Sequence, residues 1–334
     1  MKRLKLSNKI YKGNIDCFKS LLNLYDFNCK NEEVLLDLTN IKEVNPFNML
    51  VLALAIRQCK KNWFKLKYIT PYNEKTDGYM QYMGFYETFG APIREIYKGD
   101  RRPGRYICIK KLLFESQGSI QNDYDMIDRE TKKLAEMLQF DSELEEYIQY
   151  CFFEMIRNVY EHAGTNCVYV CAQYWPSHHL VELAIADEGC GIKKAMEKRF
   201  KDISEIELMK YAMTPGLSAL SNHAYLDKND CYGNSGYGLY MTKELALAYQ
   251  GVFILSSGNY ALHYTIESNK EKVLYYNTKF KGTAISIRFK TDTNINFNEI
   301  IKEKVAKAEE ESKKFNGAIN KASKSSGGKR IFNI

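Results

Sequence analysis

The sequence predicts an α/β fold, because short apolar runs of strand length alternate with longer segments of helical periodicity. Residues 33–38 form such a run. After a turn at Asn45-Pro46, they are followed by an apolar helix over 47–59. Farther along, apolar side chains alternate on one face of a predicted strand over 180–186. The 334 residues are enough for two domains of ordinary size.

The elements of this fold are expected in a definite order. A smaller α/β domain is expected over 1–118 and a second domain over 124–290, followed by a basic tail over 291–334. In the first domain, strands are predicted over 33–38, 64–69 and 107–113, with helices over 47–59 and 78–83. In the second, strands are predicted over 168–174, 180–186, 252–256, 262–266, 273–278 and 283–289, with helices over 124–138, 141–162 and 239–249.

Composition is typical of a soluble, cytoplasmic protein. Apolar residues make up 45% and charged residues 27%, as in ordinary globular proteins. The longest strongly apolar run, residues 47–56, is too short to span a bilayer, so no membrane partner is expected. Residues 1–6 have no apolar core after them, so no signal peptide is expected. Nine scattered Cys without CxxC pairs favour reduced thiols over a zinc site.

The net charge of +7 is unevenly distributed along the chain. Residues 301–334 hold nine Lys or Arg and four Glu, so +5 of the total lies in the tail. The remaining 300 residues carry only +2, which gives weak support to a nucleic-acid partner. We interpret the tail as a solvated, partly disordered extension, with a helical stretch over 300–315 and a flexible end over 323–329. Docking of a partner or of nucleic acid is the alternative.

The predicted helix over 141–162 carries a row of polar side chains. Glu154, Asn158 and His162 are spaced four apart and therefore share one helix face. The oxygen of Asn158 could ligate Mg²⁺, a hard cation that accepts neutral oxygen ligands. Glu154 could orient or deprotonate a water that attacks a phosphate. Taken alone, the row is also typical of a solvated polar stripe.

A second pattern follows the predicted strand over 180–186. Asp187 comes directly after it and could accept a hydrogen bond from the exocyclic amine of adenine, which guanine does not offer at that edge. Gly189 and Gly191 would let the backbone pass close to a flat base. Thr283, at the start of the last predicted strand, could hold the Asp187 carboxylate through its hydroxyl. An ordinary Asp-Gly turn is the alternative.

A third pattern is a glycine-rich segment that precedes the helix over 239–249. Its backbone amides and the positive end of the helix would form an anion site suited to phosphates. The GxxGxG spacing is not the dinucleotide-binding order, and no GK[ST] triplet is present, which excludes a Walker-type loop. The residues of this segment are Gly233, Asn234, Ser235, Gly236, Tyr237, Gly238 and Leu239.

Together, in this order, these patterns resemble the Bergerat-fold ATPases, the histidine-kinase-like (GHKL) superfamily that includes gyrase, histidine kinases and MutL. The resemblance covers roughly residues 124–290. It implies an α/β sandwich, with a mixed sheet covered by helices, that binds Mg²⁺ and ATP under a mobile lid over about 193–232. Pro215-Gly216 would be the hinge of that lid. The matches are Glu154 and Asn158 to the N box, Asp187, Gly189 and Gly191 to the first glycine box, Gly233 through Leu239 to the second, and Gly282-Thr283 to the terminal Gly-Thr pair.

The first domain resembles, more faintly, the STAS fold of anti-sigma-factor antagonists. The strand over 34–39 and the helix over 47–59 carry this resemblance, and any other small α/β domain is the alternative. Members of that family often have a phosphorylatable Ser at the start of the helix. The present chain has Asn45-Pro46-Phe47-Asn48 there, so no phosphorylation switch is expected at that point.

Three functions are compatible with these resemblances. The chain could be a slow ATPase acting as a nucleotide-driven switch, a serine/threonine kinase of the anti-sigma-factor type, or a module that senses ATP without turnover. A histidine kinase is disfavoured because no His precedes the N box. About 44 residues follow the ATPase region, too few for the domain that supplies a catalytic Lys in gyrase and MutL relatives. The tail, a protein partner or a second copy in a homodimer would have to complete the site.

Overall fold

The first of two sheets is parallel, and it comes from the N-terminal part of the chain. The computed structural model describes residues 1–6, 17–91, 104–114, 120–219 and 235–323, with the backbone alone at 120 and 121. The sheet has the order β1-β2-β3, from β1 (Lys2–Lys5), β2 (Glu33–Asp37) and β3 (Lys65–Ile69). Its helices are α1 (Cys17–Asp26), α2 (Pro46–Cys59), α3 (Glu74–Tyr82) and α4 (Phe85–Thr88).

The second sheet has five strands and is antiparallel at each of its four pairings, although a mixed sheet was expected. The strand order is β4-β5-β6-β8-β7. These strands are β4 (Tyr106–Leu113), β5 (Cys167–Trp175), β6 (Leu180–Ala186), β7 (Val252–Glu267) and β8 (Lys270–Lys290). The accompanying helices are α5 (Ile120–Glu136), α6 (Ser142–His162), α7 (Gly191–Met196), α8 (Glu205–Ala212), α9 (Gly238–Ala248) and α10 (Phe297–Ser312). The predicted α/β class is confirmed.

Two strand predictions need correction. The strand over 107–113 exists, but it pairs with β5 of the second sheet and does not complete the first domain. A boundary at residue 118 therefore separates β4 from the sheet to which it belongs. The four short strands predicted after residue 251 are two long strands, β7 and β8, which form one hairpin. An irregularity between Ser257 and Tyr260 shifts the register without ending the pairing, since a bulge inserts residues and keeps the ladder.

Helix α2 lies between the two sheets. Twelve of its fourteen residues are buried, as expected for a helix that is apolar on every side. Asn45 caps it by accepting a hydrogen bond from the Asn48 amide at 2.9 Å, and Pro46 occupies its first turn. The Phe47 amide donates to the buried carboxylate of Glu182 on β6, at 3.2 Å. The first domain thus covers one face of the second sheet, and one hydrophobic cluster is shared between them.

The other face of the second sheet carries α5, α6, α9 and α10 around the larger hydrophobic cluster. Asp141 caps α6, as predicted, by accepting from the Leu144 amide at 3.1 Å. The prediction of a solvated tail is wrong as far as residue 323. Helix α10 packs on α9, because Phe297, Ile301 and Ala308 place apolar side chains in the cluster. Residues 324–329 of the predicted flexible end lie outside the described residues.

Across the described parts of the chain, every helix is too short or too polar to cross a lipid bilayer.

Candidate functional site

Helix α6 forms one side of the candidate site. Asn158 and His162 both line a cavity at the C-terminal end of this helix. The Asn158 Nδ2 atom is buried and has no hydrogen-bond partner among the described residues. A buried amide group without a partner is destabilising, so this atom indicates a place where a ligand can bind. Burial lowers the pKa of His162, which keeps its imidazole neutral at pH 7.

Glu154 lies one turn before Asn158 but does not line the cavity. Its side chain is buried, with the Arg157 guanidinium 3.9 Å away on the same helix. A Cβ atom added to Gly238 would overlap the Glu154 carboxylate. Glu154 is therefore packed beneath the start of α9. Glycine is needed at position 238 for this close approach.

Asp187 directly follows β6, lines the same cavity and is 1% exposed. Its Oδ1 accepts from the Gly189 amide at 2.7 Å. Burial raises the pKa of Asp187 to about 7, although hydrogen bonds from the Gly189 and Thr283 amides act in the opposite direction. The carboxyl group is thus poised between its neutral and charged forms at neutral pH. A ligand that donates a hydrogen bond would favour the charged form.

The glycines around Asp187 are required by close backbone contacts. A Cβ on Gly189 would meet the carbonyl oxygen of Ala163, and one on Gly282 would overlap the carbonyl oxygen of Asp187. Gly191 and Gly282 have φ angles of +76° and +116°, which side chains rarely adopt. Gly191 lines the cavity directly. Gly189 does not line it, and the close contacts of these glycines are with other parts of the main chain.

Thr283 lies beside Asp187 and also lines the cavity. Its carbonyl oxygen accepts from the Asp187 amide at 2.9 Å. The contact between the two residues was predicted through the Thr283 hydroxyl. In the structure, backbone groups make the hydrogen bonds that hold Asp187 at the end of β6.

The glycine-rich segment divides into two sets of residues. Gly236, Gly238 and Leu239 line the cavity. Ser235 and Tyr237 do not. The Ser235 hydroxyl accepts from the Ser323 amide at 2.9 Å, and the Tyr237 hydroxyl donates to the Ile319 carbonyl at 2.8 Å. These two predicted binding residues therefore hold the C-terminal segment. Gly233, with Asn234, lies outside the described residues.

One cavity of about 780 Å³, measured to its open mouth, is lined by Asn158, Asp187, Gly191, Gly236, Gly238, Leu239 and Thr283. Most of the rest of the wall is apolar, with side chains from α6, β6, α7, β8 and residues 217–219. They include Met155, Ile185, Met196, Leu217 and Ile285. The cavity thus combines a mostly apolar wall with a few polar groups.

The predicted lid over 193–232 is described as far as residue 219. It contains most of α7 and all of α8, and Leu217, Ser218 and Ala219 face the cavity. The proposed hinge at Gly216 has a φ angle of +79°. Its carbonyl oxygen accepts from the Ile319 amide at 2.8 Å, and its amide donates to the Gly236 carbonyl at 3.2 Å. The C-terminal segment therefore holds the base of this lid.

Sequence reasoning missed two groups of residues that support the site. Residues 316–323 connect the lid to the glycine-rich segment, and the only sequence signal was the apolar pair Ala318-Ile319 in a polar tail. From the first domain, the Arg57 guanidinium pairs with the Glu188 carboxylate at 3.1 Å, next to Asp187. Gln58 donates to the Lys281 carbonyl at 2.8 Å, next to Gly282. Nothing local in the sequence predicts these contacts.

Neither the models of known protein families nor the curated proteins contain a match to this chain.

Proposed function

We propose that this chain is a Mg²⁺-dependent ATP-binding protein of the histidine-kinase-like superfamily, acting as a slow ATPase and a nucleotide-driven switch. The observation that carries the proposal is the convergence of Asn158, Asp187 and the backbone of Gly236 and Gly238 on one cavity. These residues span about 80 positions of sequence. The motif resemblance requires these residues to lie around one cavity, and composition alone gives no reason for them to do so.

Asp187 is proposed to recognise adenine. A carboxylate at the end of a mostly apolar slot can accept a hydrogen bond from the adenine amine. Guanine presents a carbonyl oxygen at the equivalent position, which would face the Asp187 oxygens without a proton between them. Selectivity between the two bases should therefore depend on this side chain, as it does wherever a buried polar group is left unpaired by the wrong ligand.

Asn158 and the glycine backbone are proposed to hold the phosphates with Mg²⁺. The described residues contain no group of three or more His, Cys, Asp or Glu side chains placed to hold a metal ion. Mg²⁺ commonly takes one or two protein oxygens and completes its shell with phosphate and water. The Asn158 amide fits this role, because a half-turn of the group places its oxygen where the unpartnered Nδ2 now lies. When bound, the ion would neutralise part of the negative charge of the phosphates.

Glu154 is proposed to orient and deprotonate the attacking water. Its carboxylate lies against Gly238, at the start of α9, where the phosphates would sit. The buried Arg157 guanidinium lies 3.9 Å from this carboxylate. A pure binding module does not need an acidic residue at this position, which favours turnover over sensing.

Incubation with Mg²⁺ and γ-labelled ATP separates the three candidate functions. We expect slow release of free phosphate, as a switch requires. Label transferred to a protein partner would indicate a kinase, and binding without either product would indicate a sensor. Calorimetry that detects no ATP binding at millimolar concentration would overturn the whole proposal.

Two substitutions on α6 test the roles within the site. Asn158→Ala should remove the Mg²⁺-dependent part of ATP affinity, because it removes the neutral oxygen placed for the metal. Glu154→Ala should retain ATP binding and lose phosphate release. Glu145→Ala, in the first turn of the same helix, is the control and should change neither. Wild-type turnover in Glu154→Ala would remove the proposed base.

A further inference from the structure

A second cavity lies next to the first and is independent of the proposed nucleotide site. It occupies about 1090 Å³, measured to its open mouth, between α7, the end of α1 and the β7–β8 hairpin. Gly191 lines both cavities, so the two are separated by the loop that follows Asp187. We call it the lysine cavity, after Lys193, Lys194, Lys279 and Lys281, which line it.

The lining of the lysine cavity is strongly basic. Among the described residues that line it, four are lysines and none is an aspartate or glutamate. Lys279 pairs with Asp26 at the rim, where both side chains are substantially exposed, so the pair neutralises little. The Lys281 ammonium lies 5.9 Å from the centre of the Tyr25 ring. Lys193, Lys194 and Lys281 make no recorded ion pair with a carboxylate of the described residues.

The Glu205 carboxylate lies beside Gly258, which lines the cavity. It accepts from the Asn259 amide at 2.7 Å and from the Asn259 side-chain Nδ2 at 2.9 Å, and these two hydrogen bonds hold it at the hairpin. The cavity therefore keeps a surplus of positive charge. Like charges collected in one concave space repel each other, and an anion with several charges relieves that repulsion.

The lysines supply the groups of this cavity that can contact an anion. Gly189, Gly191, Gly258 and Gly282 also line it, but neighbouring protein atoms fill the space that a side chain would take at each of them. Lysine ammonium groups bind phosphate as point charges, and their flexible stems adapt to its position. The concave shape and the volume suit a small molecule better than an extended polymer.

We infer that the lysine cavity binds a small phosphorylated molecule, such as a phosphomonoester or a pyrophosphate, at a site separate from the Asn158–Asp187 cavity. The chemistry of recognition is charge pairing with Lys193 and Lys194 on α7 and Lys281 on β8. No step of the proposed ATP chemistry is needed for this binding.

Calorimetry with inorganic pyrophosphate, in the absence of Mg²⁺, tests the inference on the full chain. We expect saturable binding that weakens as salt is added. The double variant Lys193→Ala and Lys194→Ala should weaken it at least tenfold. A matched double variant, Lys132→Ala and Lys302→Ala, removes the same charge from exposed positions of α5 and α10 and should leave the affinity within twofold.

Asn158→Ala, measured both with and without Mg²⁺ because the proposed role of Asn158 depends on the ion, distinguishes the two cavities and should leave pyrophosphate affinity unchanged in both conditions. Loss of pyrophosphate binding in Asn158→Ala, with retention in the α7 double variant, would place the anion in the first cavity and overturn the inference. Equal weakening of pyrophosphate binding by both lysine double variants would mean that only the net charge matters, and this result would also overturn the inference. A short DNA duplex that displaces pyrophosphate at a lower concentration than that of the pyrophosphate would indicate that the ligand is a nucleic acid and not a small molecule.

Discussion

The two glycine-containing segments of the site are held in different ways. The segment around Asp187 is fixed by close contacts between main chains, in which Gly189 and Gly282 approach the backbone of Ala163 and Asp187. The segment around Gly236 is fixed from outside by the C-terminal residues, through Ser235 and Tyr237. Both segments match simple motifs, but the second also depends on contacts from the distant C-terminal residues.

This difference shows where each segment is vulnerable. The first segment contains a buried carboxyl group whose ionisation is opposed by burial, so its weak point is electrostatic. The second contains uncharged contacts between distant parts of the chain, so its weak point is packing. Substitutions that affect charge and packing separately should therefore act on different segments.

The largest expected effect is the pH dependence of stability that Asp187 causes. Its pKa is about 7 in the folded chain and about 3.9 when unfolded. Between these values the folded state keeps a proton that the unfolded state has lost, so stability falls as the pH rises. Three pKa units correspond to about 4 kcal/mol, present below pH 4 and lost by pH 7.

Urea unfolding of the wild type and of Asp187→Asn across pH 4 to 7 measures this contribution. The amide does not titrate, and the other groups titrate in both proteins. The difference in the free energy of unfolding should therefore favour the wild type at pH 4 and shrink steadily toward pH 7. If the free energy of unfolding changed with pH in the same way in both proteins, Asp187 would be ionised in the folded state throughout. The electrostatic weakness assigned to the first segment would then be wrong.

The next effect concerns packing in the second segment. Gly236 has a φ angle of +72°, and a Cβ there would lie 2.7 Å from the Leu217 carbonyl oxygen. Gly236→Ala should reduce the free energy of unfolding by roughly 2–4 kcal/mol, from backbone strain and overlap together. Gly164 has a similar φ angle of +62° and open space around it, so Gly164→Ala should show the strain alone, about 1 kcal/mol.

Denaturant unfolding of the two glycine variants under the same conditions isolates the overlap by subtraction. Equal losses in Gly236→Ala and Gly164→Ala would mean that Leu217 moves aside freely. The second segment would then be loosely packed, and the contrast with the first segment would become larger than the static contacts indicate.

The sequence alone predicted the parts of the fold that are determined by local hydrophobic patterns. The apolar run of α2 and the alternation along β6 gave both elements nearly to the residue, because burial on all sides or on one face leaves a period in the chain. The hairpin of β7 and β8 was divided wrongly, since Gly258 and Gly282 mark breaks in strand patterns whether or not pairing continues. The docking of α10 was missed because its few apolar residues are diluted by charges.

The candidate site shows the same limit. Asn158, Asp187 and Gly238 were chosen because each belongs to a short pattern with a chemical meaning. Their supports have no such pattern. The Arg57–Glu188 pair joins residues 131 positions apart, and the Tyr237–Ile319 bond joins residues 82 positions apart. Such contacts depend on how whole elements pack, which a single sequence does not encode in any local period.

The smallest effect tests whether the C-terminal segment holds the second glycine segment. Tyr237→Phe removes the hydroxyl that bonds the Ile319 carbonyl and Ser312, and should cost about 1 kcal/mol of stability. Tyr240→Phe, one turn along α9, removes a comparable bond to Glu311 and is the matched control. Hydrogen exchange separates the two. The Gly216 and Ile319 amides should exchange faster in Tyr237→Phe and at the wild-type rate in Tyr240→Phe. Equal exchange in both variants would mean that the C-terminal segment merely covers this loop, and the proposed dependence of the second segment on distant residues would be wrong.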